Sequence, residues 1–192
     1  GSPVAIGRRW TEGIGELVAG CRGQGWGGIR IGLGGRGAND AGCGMRAALG
    51  RRLTDAGGMI ILPTPEGLAA LDRVDASALH PLLAQSTLHI MSDVNNPLCG
   101  TSGATAIFGP QKGVAAMAIA ALDARLAHFA KLAENRVGRD AASPPGSGAA
   151  VGPGFAFPLL GREVVSGPGC LAALTRASPP PPKILTTLLL LT

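Results

Sequence analysis

The sequence predicts an α/β protein, a layered sheet with flanking helices, from its composition and its periodicity. Hydrophobic residues make up 46% of the 192 residues, yet only 3% are aromatic and none is tyrosine. An interior built from Ala, Leu, Ile and Val suits helices on a parallel sheet better than a β-sandwich. Short β-branched runs also alternate with segments of helical periodicity. We expect one α/β domain over residues 1–160 and a poorly defined Pro/Leu-rich tail over residues 161–192.

The first third of the chain is predicted to form helix, strand, glycine loop and helix. Thr11 can cap a helix that ends at Gly23. Ile29 to Ile31 is a β-branched run typical of a strand, and four glycines follow it between residues 32 and 37. Ala41 to Ala56 then has helical periodicity and is stopped by two glycines. A glycine loop between a strand and a helix offers backbone N–H groups to an anion, so phosphate handling is the first hypothesis.

The rest of the chain is predicted to add two strands and a long helix. Met59 to Leu62 is an apolar run halted by proline, as in a buried parallel strand. Residues 66–85 carry a weaker helical pattern, and Thr87 to Ser92 alternates as a strand does. Val114 to Glu134 is the longest periodic segment and predicts a helix with one apolar face. Ala141 to Gly154 is rich in Gly, Pro, Ser and Ala and is either a linker or a second glycine loop.

The positive charge is confined to the amino-terminal part of the chain. The formal charge is +5, with eight arginines against three acidic residues up to residue 52 and an equal balance afterwards. Such an excess marks either a phosphate-facing surface or a nucleic-acid contact. Because no aromatic cluster and no Lys/Arg run accompanies it, we predict no nucleic-acid partner.

The cysteines and histidines show no metal-binding spacing. The four cysteines form no C-x-x-C pair, and the three histidines add no zinc pattern. We expect unpaired thiols in a reducing cytoplasm, since no signal peptide is visible. The apolar run after the prolines near residue 180 has about nine residues, roughly half of what spans a bilayer. The sequence therefore predicts a cytoplasmic location and no membrane partner.

Three familiar site motifs are weak or missing. Gly32, Gly34 and Gly37 satisfy G-x-G-x-x-G, but the second predicted strand ends in prolines where a dinucleotide site needs an acidic residue, so NAD binding is a weaker alternative. Lys112 lacks the upstream spacing of a Walker loop, which excludes a P-loop. No G-x-S-x-G sequence occurs, which disfavours a serine hydrolase.

Two acidic residues follow predicted strands. Asp40 and Asp93 each stand just past a strand end, and in open α/β sheets those ends line the ligand crevice. One carboxylate could hold a metal ion while the other orients a hydroxyl group. The alternative is that each caps a helix or a turn.

Five stretches, in this order and at these spacings, resemble the bacterial type I glycerate kinases, the glycerate 2-kinases. They are GLGGRGANDAGCGMRAALG (32–50), SDVNNPLCG (92–100), FGPQKG (108–113), LDARLAHFA (122–130) and PGSGAAVG (145–152). The resemblance extends from Glu12 to Leu160. It corresponds to the middle domain of a longer, two-domain chain.

The resemblance implies a phosphotransferase that moves the γ-phosphoryl group of ATP to glycerate, with Mg²⁺ assisting, in a cleft between two α/β domains. ATP and Mg²⁺ are the implied cofactors, glycerate is the small-molecule partner and 2-phosphoglycerate is the expected product. It implies Asp40 and Asp93 as catalytic and metal-binding residues. The residues implied to bind substrate or phosphate are Gly34, Gly35, Arg36, Gly37, Asn39, Asn96 and Lys112.

The chain departs from the family pattern at both glycine motifs. The family loop reads GGSATNDGG, whereas residues 36–38 here are Arg-Gly-Ala and residue 41 is Ala, without two hydroxyl groups. In the late motif Val151 replaces Gly, and Pro153 predicts a shortened helix. The family's Ser-Phe-Lys-Gly and Gly-Glu-Gly segments, which belong to the other domain, are absent. The alternative is therefore a non-catalytic module that binds an anionic metabolite or a protein partner, and exposed apolar surface predicts self-association.

Overall fold

The computed structural model describes residues 11–23, 28–33, 38–75, 87–92, 94–162, 164–166 and 189–190. In chain order the helices and strands are α1 (Glu12–Gly23), β1 (Gly28–Gly32), α2 (Cys43–Ala48), β2 (Arg52–Thr54), β3 (Arg73–Asp75), β4 (Thr87–Ser92), α3 (Ala104–Phe108), α4 (Ala116–Val137), α5 (Pro153–Leu159), β5 (Val164–Ser166) and β6 (Leu189–Leu190). These elements form a parallel sheet, a small antiparallel ribbon and flanking helices. The predicted α/β class is confirmed.

The parallel sheet has the strand order β5-β4-β1-β6. Its centre is the pairing of β1 with β4, in which Ile31 lies opposite Ile90 and both side chains are buried. The N–H of Leu33 donates to Met91 O at 2.8 Å and extends this pairing by one residue. Because the two strands are parallel, their carboxyl ends lie on the same side of the sheet, which we call the edge where β1 and β4 end. The strands predicted over residues 29–31 and 87–92 are confirmed.

Two strands of this sheet come from beyond residue 160. β5 pairs with β4 and β6 pairs with β1, both in parallel. Part of the predicted tail thus contributes backbone hydrogen bonds to the central sheet. The division of the chain at residue 160 remains a prediction.

The helix predicted over residues 41–56 is wrong in length, because α2 ends after Ala48. Gly50 adopts a left-handed conformation with φ of 96°. Its N–H donates to Ala47 O, and the N–H of Arg51 donates to Arg46 O. This pair of bonds is a Schellman motif, which closes a helix where a glycine can take a positive φ. The chain then continues directly into β2.

The buried parallel strand predicted for Met59 to Leu62 is also wrong. The side chains of Met59, Ile60 and Leu62 are 70%, 69% and 69% exposed, and Ile60 makes only an isolated antiparallel bridge to Thr54. The ribbon consists instead of β2 and β3, which pair antiparallel. Each of these strands has three residues and one buried side chain. So short a segment has no recognisable alternation of apolar and polar residues, and the sequence did not predict it.

The helical pattern predicted for residues 66–85 is not an α-helix in its described part. Gly67–Ala70 forms a single 3₁₀ turn, and β3 follows it. Residues 76–86 lie outside the described residues. The pattern of apolar residues therefore marks burial, since Leu68 and Val74 pack into the core, rather than helix.

The long helix is confirmed and runs slightly further than predicted. Its buried face includes Leu122, Leu126 and Phe129. Gly138 ends it in a left-handed conformation with φ of 67°. Among the helices of the described ranges, none is long and apolar enough to cross a membrane.

Residues 141–154 are a packed glycine loop and not a linker. Ala141, Ser147 and Ala149 are buried. Pro153 is the first residue of α5, a position that needs no N–H donor, so the helix starts there as the predicted shortening requires. α5 joins the two halves of the core, because Phe155 packs with α4 and the ribbon whereas Phe157 packs with α1, α2 and the sheet.

Candidate active site

Asp40 is completely buried, and its carboxylate accepts four hydrogen bonds. Oδ2 accepts from the N–H of Thr11 at 2.7 Å, from the Thr11 hydroxyl at 2.9 Å and from the N–H of Gly44 at 3.1 Å. Oδ1 accepts from the N–H of Gly42 at 2.9 Å. Burial raises the pKa of Asp40, while these four bonds lower it and so limit the rise. Asp40 therefore caps α2 and joins that cap to the start of α1.

The turn after Asp40 packs against the second glycine loop. The N–H of Ala41 donates to Val151 O at 3.1 Å. A Cβ atom on Gly152 would lie 2.4 Å from the backbone N of Gly42, so only glycine fits at that contact. Ala41 and Val151 both have φ of 51°, the left-handed region that favours glycine. The two positions where this chain replaces a family glycine thus keep a glycine-like backbone.

Asn39 and its neighbour Ala38 each make a contact with a distant part of the chain beside this turn. The Nζ atom of Lys112 donates to Ala38 O at 2.9 Å. The Thr105 hydroxyl lies 3.4 Å from Asn39 Oδ1, and the Nδ2 atom of Asn39 is buried with no hydrogen-bond partner among the described residues. Burial lowers the pKa of Lys112 to about 8, and the nearby charge of Asp40 opposes that shift. The cluster holds a cation and a free amide donor, which are groups that bind anions.

Asn96 lies in the loop that follows β4 and supports the second glycine loop. Its Nδ2 atom donates to Ser102 O at 2.9 Å. Its backbone carbonyl oxygen accepts from the N–H of Gly148, also at 2.9 Å. The Ser92 hydroxyl accepts from the N–H of Val94 at 3.1 Å and closes the turn at the end of β4. Asn96 therefore has its amide donor engaged with the backbone.

The structure brings together Asn39, Asp40 and Lys112 among the predicted site residues. Asn96 is connected to them through the second glycine loop. The remaining predicted site residues, Gly34, Gly35, Arg36, Gly37 and Asp93, lie outside the described residues. They follow β1 and β4, which end at the same edge of the sheet.

Two threonines that bond to the candidate site were not predicted as site residues. Thr11 lies directly before α1, as predicted, but its hydroxyl serves α2, since it donates to Asp40 and accepts from the N–H of Met45 at 2.9 Å. Thr105 is fully buried and contacts Asn39 across 66 residues of sequence. No local pattern could have found either contact, because both join distant segments.

Neither Cys43 nor Cys99 is poised for chemistry. Cys43 and Cys99 are free thiols. The Cys43 thiol donates to Pro63 O, and burial raises its pKa well above the usual value. Burial raises the pKa of Cys99 to about 12. Such thiols stay protonated and unreactive.

Potential metal-ligating side chains are dispersed within the described residues. No group of three or more His, Cys, Asp or Glu side chains lies together in the ranges that the structure describes. Three of the four hydrogen bonds to Asp40 fall on Oδ2, and Oδ1 accepts one. A role for Asp40 as a metal ligand stays a prediction.

The sheet and the cluster at its edge define an open α/β protein whose candidate site lies at the carboxyl ends of the central strands. The model of the Glycerate kinase family matches residues 5–179. The chain belongs to this family, and the resemblance of its five stretches is confirmed.

Individual relatives agree with the family match. The chain is 42% identical over 147 residues to a glycerate kinase of Bacillus subtilis (strain 168), which covers 77% of this chain and 38% of that protein. It is 41% identical over 158 residues to the glycerate 2-kinase of Escherichia coli (strain K12), which covers 82% and 42%. A crystal structure assigned as glycerate kinase 2 from Salmonella typhimurium LT2 matches with a TM-score of 0.85 and 36% identity over 88% of this chain and 46% of that one. The chain thus spans about two fifths of the length of these curated relatives.

Proposed function

We propose that this chain forms one wall of a site that transfers the γ-phosphoryl group of ATP to glycerate, with 2-phosphoglycerate as the product. The observation that supports the proposal is the contact of Lys112 with Ala38, the neighbour of Asn39, in the segment of chain that follows β1. Phosphoryl transfer needs positioning and charge neutralisation more than covalent chemistry. A buried cation and a free amide donor supply both.

Lys112 is the cationic group of the proposed site. With a pKa of about 8 it is mostly protonated at neutral pH. Its ammonium group has three donors, and Ala38 O accepts from one of them. The other donors are available for a phosphate or carboxylate oxygen. Asn39 adds its buried Nδ2 donor, which has no hydrogen-bond partner among the described residues. Because a buried donor without a partner is costly, binding of a ligand oxygen at this atom is favourable.

The two acidic residues take different parts in this proposal. Asp93 follows β4, and we propose that it orients the glycerate hydroxyl or binds the metal. Asp40 fits a positioning role better, because its four hydrogen bonds fix the turn that carries Asn39. Mg²⁺ would arrive with ATP and neutralise phosphate charge. No step is assigned to it here, because the described residues offer it no ligand set.

The glycine loop completes the proposed anion site. Gly34, Gly35 and Gly37 would contribute backbone N–H groups to phosphate oxygens, and Arg36 a guanidinium that can bind them bidentately. Asn96 would act by holding the second glycine loop. The reaction is proposed to occur in the cytoplasm.

The test is an ADP-release assay with D-glycerate and MgATP on the full 192-residue chain. Lys112→Gln removes the proposed cation, and Lys131→Gln removes an exposed cation of α4 as the matched control. Turnover that survives in Lys131→Gln and falls at least tenfold in Lys112→Gln supports the proposal, since a charged hydrogen bond is worth about 1.5–3 kcal/mol. Turnover unaffected by Lys112→Gln refutes the proposed role.

The second candidate is a non-catalytic module that binds an anionic metabolite or a protein partner. One observation favours it: the Asp40 carboxylate accepts four hydrogen bonds from the protein itself. Calorimetric binding of glycerate or ATP without ADP release would select this candidate. Self-association through exposed side chains such as Met59 and Leu62 is part of the same proposal and is measured by sedimentation.

A further inference from the structure

A second cationic surface lies on the ribbon of β2 and β3. Leu53 and Val74 are paired and buried on one face of the ribbon. Because side chains alternate along a strand, the neighbouring pairs project from the other face. These pairs are Arg52 with Asp75 and Thr54 with Arg73.

This face forms the floor of a cavity of about 440 Å³. Arg136, from the last turn of α4, adds a third arginine to its lining, and Ile60 adds an exposed apolar side chain. The volume lies in the range that small-molecule ligands occupy in proteins.

The charges that line the cavity are not balanced. Asp75 is the single acidic residue among the lining side chains. Arg73 is paired with Asp72 at 3.2 Å, and within the described ranges no ion pair is made by Arg52 or Arg136. The cavity therefore keeps an excess of positive charge that an anion would neutralise.

A buried arginine stands behind this surface. Arg51 is only 4% exposed, and its Nε and Nη1 atoms have no hydrogen-bond partner among the described residues. Arg51 precedes Arg52 of the lining, and its charge is influenced by those of Arg136 and Asp75. Burial, together with the charge of Arg136, lowers the pKa of Arg51. An unpaired buried cation is costly, and an anion in the cavity would offset that cost.

The geometry points to a binding site here for a small molecule that carries a diphosphate group. Arginine suits this group because its planar guanidinium binds phosphate oxygens bidentately. Arg52 and Arg136, which make no ion pair within the described ranges, together with the neighbouring Arg51 match a ligand with several negative charges. Ile60 offers an apolar contact for the rest of the molecule. This site uses none of the residues proposed for phosphoryl transfer.

The test is a calorimetric titration of the full chain with inorganic pyrophosphate at fixed ionic strength and without divalent cations. We expect Arg52→Gln and Arg136→Gln each to weaken binding about tenfold, since each removes a charged hydrogen bond. Arg136→Lys, which keeps the charge but loses the planar fork, should give a smaller loss. Lys131→Gln removes an exposed charge from the same helix and should bind within about twofold of the wild type.

Two further arms assign the binding to this cavity and to its ligand class. Binding to this cavity should persist in Lys112→Gln, which removes the cation of the other proposed phosphate site. ADP should compete with pyrophosphate if the natural ligand is a nucleotide, whereas a phosphomonoester should compete poorly with either. Absence of pyrophosphate binding to the wild type, or equal losses in Lys131→Gln and Arg136→Gln, would overturn the inference.

Discussion

The hydroxyl of Thr11 donates to Asp40 Oδ2 at 2.9 Å and accepts from the N–H of Met45. One side chain thereby joins the start of α1, the turn after β1 and the first turn of α2. These bonds hold the start of α1 against the first turn of α2, next to Asp40 of the candidate site. The geometry of that site depends on a residue 29 positions upstream of Asp40.

Removal of the Thr11 hydroxyl should destabilise the protein. Thr11→Val keeps the shape of the side chain but leaves the N–H of Met45 and part of the Asp40 carboxylate unsatisfied. We expect the free energy of unfolding to fall by about 2 kcal/mol, measured by urea denaturation. Thr101→Val, at an exposed position, is the control. Equal effects of the two substitutions would show that the bonds of Thr11 contribute nothing.

The titration of Lys112 should make stability depend on pH. Its folded pKa of about 8 lies below the ordinary value of 10.5, so between these values the unfolded chain holds the proton more tightly. Stability contributed by Lys112 should therefore rise with pH in this window, by up to about 3 kcal/mol. The measurement is the difference in unfolding free energy between wild type and Lys112→Met from pH 7 to 10.5. A difference that stays flat, as expected for Lys131→Met, would contradict the lowered pKa.

Two glycines of α1 should respond in opposite directions to alanine. A Cβ on Gly15 would lie 2.4 Å from Met45 O and 2.6 Å from Ala48 Cβ, whereas nothing lies within 4 Å of a Cβ on Gly20. Gly15→Ala should cost about 1–3 kcal/mol because α1 and α2 must separate. Gly20→Ala should raise the free energy of unfolding by about 0.5–1 kcal/mol, because alanine has the higher helix propensity. Thermal denaturation of both variants tests the close packing, and stabilisation by Gly15→Ala would disprove it.

A glycine at position 150 should stabilise the second glycine loop. Ala150 has φ of 52°, a conformation that costs an L-residue about 1–2 kcal/mol, and its side chain is only half-buried. Ala150→Gly should raise the unfolding free energy by about 1 kcal/mol. Its neighbour Ala149 is fully buried and has no positive φ, so Ala149→Gly should destabilise. Chemical denaturation of the pair checks the sign, and a loss of stability in both would contradict the strain at Ala150.

Local sequence determined the helices and strands whose hydrophobic periodicity is contained in one continuous segment. The central strands β1 and β4 and the helix α4 were predictable because each carries its own periodicity. The end of α2 was predictable in principle, since Gly50 marks it, but the periodicity up to residue 56 hid that signal. Met59 to Leu62 misled the prediction, because an apolar run has the same composition whether its side chains are buried or exposed.

The motifs of the sequence also determined the family. They did not determine what Asp40 does, because both a metal ligand and a helix cap place an acid after a strand. The tertiary structure shows Asp40 capping α2 and bonded to Thr11, which lies directly before α1, while a role of Asp40 as a metal ligand stays a prediction. It also placed Lys112 against Ala38 across 74 residues and left the Nε and Nη1 atoms of Arg51 without a hydrogen-bond partner among the described residues. These contacts join segments distant in sequence, and only folding, which buries their apolar neighbours together, sets which polar groups meet.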